Sequence, residues 1–131
     1  MLKRSELRKE CMTILYQIDI LRQNKVPYEI ENVIKENIGF DNAFVKDIVF
    51  GVMERIDEID KLANSYLNNW DIKRLDKTGA AILRMGIYEM KYMDTPPVVV
   101  INEAIELAKI YTDSDVVKMI NAVLDKLLKE E

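Results

Sequence analysis

Three groups of residues have types and spacing that bear on chemistry. Glu103 and Glu106 lie in the stretch V-V-V-I-N-E-A-I-E-L-A-K, which runs from Val98 to Lys109. On a helix their spacing puts both carboxylates on one face, an arrangement suited to acid–base or metal work. It suits equally the first turns of a helix, where acidic side chains favour the dipole, with Glu106 placed to pair with Lys109. The chain has no His, so the commonest general base and zinc ligand is missing and the structural reading is preferred. Cys11 lies on an apolar stripe and reads as a small core residue, not a nucleophile. Ser5, Ser65 and Ser114 have no His to activate them, and Ser5 and Ser114 stand where helix caps are expected. Neither G-x-x-x-x-G-K-[ST] nor G-x-G-x-x-G occurs, which excludes those two phosphate cradles. No catalytic residue, cofactor or metal is expected.

The third group is a local charge anomaly. Lys3, Arg4, Arg8 and Lys9 oppose a single Glu6 within the first nine residues, in a chain whose net charge is -4. Charge runs usually just face water. Cations at a helix start, however, oppose the macrodipole at a cost of about 0.3 kcal/mol or more each. A use in binding anions explains why that cost is accepted. Tyr16, eight residues after Arg8, falls near the same face and could stack on a base beside phosphate contacts. A half-buried aromatic is the other reading of Tyr16.

The elements that must position these residues are helical. Apolar residues make up 49% of the 131 and charged residues 32%, with only four Gly and three Pro; few breakers and many Lys, Glu, Leu, Ile and Met favour helix over sheet. Leu7, Cys11, Ile14, Leu15, Ile18 and Leu21 predict a first helix from Ser5, its cap, to Asn24. A short helix over 29–37 is stopped by Gly39. Asp41 then caps a helix striped by Phe44, Val45, Ile48, Val49, Val52, Met53 and Ile56, and Gly51 inside that stripe implies close approach of another backbone. Asp57 or Asp60 is expected to cap a fresh helix, and residues 67–71 read as a loop. A helix from about residue 75 or 76 to Tyr92 follows. The polar residues of the Val98–Lys109 stretch, Asn102, Glu103, Glu106 and Lys109, form one narrow strip on an otherwise apolar cylinder. A helix of that kind is expected at the centre of the bundle. Asp113 or Ser114 caps the last helix, whose tail, Lys129-Glu130-Glu131, is expected to fray. The reading is a single all-α domain over residues 1–131. No apolar run reaches the length of a membrane span. The N-terminal ten residues lack a secretory segment. The lone Cys fits a reducing cytoplasm.

Four blocks carry a family resemblance over essentially the whole chain. These are Arg8 with Leu15-Tyr16-Gln17 in a basic first helix, A-I-L-R-M-G-I-Y-E-M over residues 81–90, V-I-N-E-A-I-E-L-A-K over residues 100–109, and N-A-V-L-D-K over residues 121–126. Together they resemble the NusB family. The resemblance implies seven helices in two subdomains, no enzyme activity, and a role as a transcription antitermination factor. It implies that the protein pairs with NusE, a small-subunit ribosomal protein, on single-stranded boxA RNA of ribosomal-RNA leaders, so that RNA polymerase in an antitermination complex resists termination. It carries RNA contact to Lys3, Arg4, Arg8, Lys9 and Tyr16 on the first helix. It carries the same role to Asp115, Lys118, Met119 and Asn121 at the start of the last. Met119 stands where members often have an aromatic. The resemblance leaves a homodimer open. The competing readings are a protein-binding adaptor without RNA affinity and the NusB-like domain of a ribosomal-RNA cytosine methyltransferase; the second is not expected in a chain of this length.

Overall fold

In the computed structural model, which describes residues 2–130, seven α-helices are joined by short connections. They are α1 (Arg4–Gln23), α2 (Ile30–Asn37), α3 (Ala43–Glu54), α4 (Ile56–Tyr66), α5 (Lys77–Tyr92), α6 (Pro97–Tyr111) and α7 (Ser114–Glu130). A single 3-10 turn, Ile72–Arg74, leads into α5. No strand occurs among the described residues. The expected all-α class and helix number are those observed. One cluster of buried apolar side chains takes members from every helix, among them Ile14, Ile18, Ile48, Ile59, Leu83, Ile120 and Leu124. Each large aliphatic side chain buried in it contributes roughly 1.5–3 kcal/mol.

The helix at the centre is α5, not α6. All residues from Gly79 to Glu89 are buried, and α5 packs on α1, α3, α4, α6 and α7. Its small residues explain this. Gly79, Ala80, Ala81 and Gly86 let neighbours approach on several sides, and a Cβ built on Gly86 would lie 3.2 Å from a methyl of Leu124 and 3.9 Å from Cβ of Ala104. By contrast α6 buries only Val100, Ala104, Leu107 and Ala108. That i, i+4, i+7, i+8 spacing is one face of a helix. Of its other apolar residues, Ile101 and Ile105 are half-buried, and Val98, Val99 and Ile110 stay in solvent, Val98 at 61% and Ile110 at 70% exposure. An apolar circumference therefore did not make α6 the core helix. The bundle has one central place, and the helix with the most glycine and alanine at its contacts occupies it.

Helix ends differ from expectation in several places. Lys3, not Ser5, precedes the first helical residue, and its amide donates to Glu6. Asn42, not Asp41, caps α3 by accepting from the Val45 amide at 3.0 Å; Asp41 instead pairs with Lys46 at 2.6 Å. Neither Asp57 nor Asp60 caps α4: Arg55 precedes it, Asp57 lies in its first turn, and Asp60 is buried. Gly39 lies beyond Ile38, the last cap of α2, and has no left-handed backbone. Gly51 faces the ring of Tyr88 on α5, a side chain and not another backbone. Asp76 caps α5 through the Gly79 amide, and Asp113, one of the two residues proposed, caps α7 through the Val116 amide. Lys129 and Glu130 belong to α7: Lys129 pairs with Asp125 at 3.0 Å, and Glu130 accepts from the Tyr66 hydroxyl. Glu131 lies outside the described residues.

Candidate nucleic-acid interface

The cationic cluster sits on the first two turns of α1. Leu7, Cys11, Ile14, Leu15 and Ile18 turn one face of this helix into the core. Periodicity leaves Ser5, Lys9 and Tyr16 outside, whereas Arg4 continues the core stripe at its open end and Lys3 precedes the helix; all five are exposed, Tyr16 at 38%. None of Lys3, Arg4 and Lys9 pairs with a carboxylate among the described residues. The Arg4 guanidinium lies 4.1 Å from the centre of the Phe44 ring. That contact steadies the guanidinium on the ring face without neutralising its charge.

Arg8 differs from its neighbours. It is 4% exposed. Its Nε donates to Glu89 Oε1 at 3.0 Å and its Nη2 to Glu89 Oε2 at 2.5 Å, a bidentate pair between α1 and α5. Nη1 donates to Glu103 Oε1 on α6 at 3.2 Å. Burial alone would lower the Arg8 pKa, but the hydrogen bonds and charge of Glu89, with the charge of Glu103, outweigh it and hold it above its ordinary value. Arg8 is therefore enclosed where an open cation was expected: each of its three guanidinium nitrogens donates to a carboxylate and its side chain is out of solvent. Sequence reasoning missed Glu89, which is 1% exposed. The signal was available. Arg8 stands at i, i+3, i+7 with Cys11 and Leu15 on the core stripe, and Glu89 shares a stripe with Ile82 and Gly86. A charge on a core stripe calls for a buried partner of opposite sign.

Glu103 and Glu106 do not form a two-carboxylate site. Glu103 serves Arg8, and Glu106 pairs with Lys109 at 3.7 Å, as the spacing suggested. Cys11 is fully buried, and burial pushes its thiol pKa far up. It is inert core, as expected.

The second part of the expected site is at the start of α7. Asp115, Lys118 and Asn121 are exposed there and Met119 is half-buried. α1 and α7 are both carried by α5, the first through Arg8–Glu89 and the second through Val116 against Gly79. Both sets thus lie on helices that pack against α5, but no hydrogen bond or ion pair joins them among the described residues. Two grooves flank the Arg8–Glu103 bridge. One, of about 640 Å³, is lined by Arg4, Asp47, Thr95, Pro96 and Val99 among others. The other, of about 190 Å³, lies between Ser5, Lys9, Glu106, Ile110 and Tyr111.

A helical bundle whose cationic helix start is tied to its central helix by a buried ion pair belongs to the class of all-α binding proteins. The chain belongs to the NusB family, whose model matches residues 5–129. It is 37% identical to the transcription antitermination protein NusB of Thermoanaerobacter sp. (strain X514), covering 99% of this chain and 93% of the relative. It superposes on Thermotoga maritima NusB with a TM-score of 0.86 at 29% identity, covering 99% and 93% of the two chains. A chain from the crystal structure of a plectonemic RNA supercoil aligns with a TM-score of 0.83 at 27% identity, over 99% and 96%.

Proposed function

We propose that this protein is a transcription antitermination factor acting as one helical RNA-binding unit over its 131 residues. It binds single-stranded boxA RNA of ribosomal-RNA leaders jointly with NusE, and through that complex helps RNA polymerase resist termination. The observation that carries the reading is the face of α1. Lys3, Arg4 and Lys9, with no carboxylate partner among the described residues, and an exposed Tyr16 lie along α1 and its entry on a protein of net charge -4. Unpaired surface cations suit phosphates, which set position along a strand, and an exposed aromatic ring suits an unstacked base. The relative's name and the RNA-containing structural neighbour support the same reading. Lys118 and Asn121 at the start of α7 supply polar contacts to bases or sugars. The protein works by binding and not by catalysis, and its place of action is the cytoplasm, where nascent transcripts are made.

With Arg8 enclosed, Lys3, Arg4 and Lys9 remain to neutralise phosphates. Three phosphates correspond to a log–log salt slope of about -2 for a single strand, where four would give about -3. The acidic remainder of the surface keeps affinity modest, and NusE raises it by joining a second binding surface. Fluorescence anisotropy of a labelled boxA RNA, titrated with and without NusE, tests this. Binding that tightens with NusE and weakens on boxA mutation is the expected result. An absence of RNA affinity, alone and with NusE, sinks it in favour of a protein-only adaptor.

A further inference from the structure

Arg8 is the one cation of the cluster that the proposed RNA contacts do not use, and three observations define its position. It reaches two different helices at once, α5 through Glu89 and α6 through Glu103. It is buried, whereas Lys3, Arg4 and Lys9 on the same two turns are exposed. Its bridge to Glu103 forms the wall between the two grooves that flank the start of α1. Without this clamp α1 would be held to α6 by little else at this end, because the two helices do not pack closely along their lengths.

We infer that Arg8 is a positioning residue for RNA binding: clamped between Glu89 and Glu103, it fixes the start of α1 relative to α6 so that Lys3, Arg4 and Lys9 meet successive phosphates in register, and it neutralises no phosphate itself. The inference rests on the RNA reading above. A planar guanidinium is required because two parallel bonds to Glu89 leave a third donor for Glu103; an ammonium has no fixed fork with which to do both. Glu103, acidic and partly exposed beside the cationic face, then aids RNA binding although its charge repels RNA.

The test measures the affinity of the full-length protein for labelled boxA RNA across a salt series, for wild type, Lys9→Gln, Arg8→Lys and Glu103→Gln. Thermal melts check that each variant is folded. Lys9→Gln removes a phosphate contact, so its slope moves toward zero by roughly 0.7. Arg8→Lys keeps the charge but loses the fork. It is expected to bind about tenfold more weakly at every salt concentration with the wild-type slope, since contacts are misplaced and no counterion release is lost. Glu103→Gln leaves the Arg8–Glu89 pair intact, so it keeps the fold even where Arg8→Lys does not. It is expected to weaken binding about twofold to threefold, against the gain that removing a nearby negative charge would bring. Wild-type affinity in Arg8→Lys, a slope change in it matching that of Lys9→Gln, or tighter binding by Glu103→Gln would each overturn the inference. A wild-type protein that binds no RNA, alone or with NusE, removes the RNA reading and this inference together, an outcome distinct from any variant pattern.

Discussion

Breaking the second buried ion pair should cost far more than deleting it. Arg84 on α5 donates from Nε to Asp60 Oδ1 at 2.8 Å and from Nη2 to Asp60 Oδ2 at 2.9 Å, and both residues are buried. Nη1 reaches Asp19 Oδ2 on α1 at 3.3 Å. Asp60→Ala leaves a buried guanidinium with only the more exposed Asp19 as partner. Stranding one member of such a pair costs about 3–5 kcal/mol, and because Asp19 remains, the lower end, about 3 kcal/mol, is expected. For a chain of this size that is a fall in Tm of roughly 10 °C. Arg84→Met with Asp60→Leu removes both charges and fills the space with apolar volume, so the double variant should return to within about 1 kcal/mol of wild type or exceed it. Denaturant unfolding followed by circular dichroism measures all three proteins. A loss below about 1 kcal/mol in Asp60→Ala, or a double variant no more stable than the single, would refute the argument that the desolvated charge is the source of the cost.

Three further outcomes follow from the same geometry. Tyr16→Ala should weaken boxA RNA binding by about 1–3 kcal/mol at an unchanged salt slope, with Tyr16→Phe close to wild type, because the loss is of stacking and not of charge; anisotropy titrations read both. The Tyr88 hydroxyl donates to Asp47 at 2.5 Å, and burial together with that carboxylate pushes its pKa up to about 12. The folded value lies above the unfolded one, so Tyr88 stabilises the fold fully below pH ~10 and loses that contribution as pH rises from about 10 to about 12. Stability curves of wild type and Tyr88→Phe should therefore differ least at the top of that window, and a constant difference across it counts against the assignment. Cys11 should resist a thiol-labelling reagent in the native protein and react on addition of denaturant, as mass spectrometry would show, since burial keeps it a neutral thiol.

Much of the fold could be read from periodicity. The core residues of α1 and α3 lie on the stripes their spacing predicts, and the all-α class follows from such periodicity and from the scarcity of breakers. Caps were less legible. Asp41 and Asn42 are adjacent residues of nearly equal capping propensity, and only the folded chain shows Asn42 as the cap and Asp41 on Lys46. The centre of the bundle was misread because the apolar fraction of Val98–Lys109 outweighed the small residues of α5. Packing rewards close approach, and that depends on side-chain size as well as hydrophobicity.

For the site, the sequence by itself determined which residues are cationic, that they gather at the start of one helix, and which family motifs they accompany. Local order and composition suffice for these, because helical periodicity needs only residues a few positions apart. Which of those cations stays free is a tertiary matter. Arg8 meets Glu89 and Glu103 across 81 and 95 residues of chain, and no local rule pairs groups so far apart. The fold brings two carboxylates to one arginine, and the burial of Arg8 and Glu89 makes that pairing obligatory, with the partly exposed Glu103 as a second partner. It leaves Lys3, Arg4 and Lys9 in water, where their charge is available.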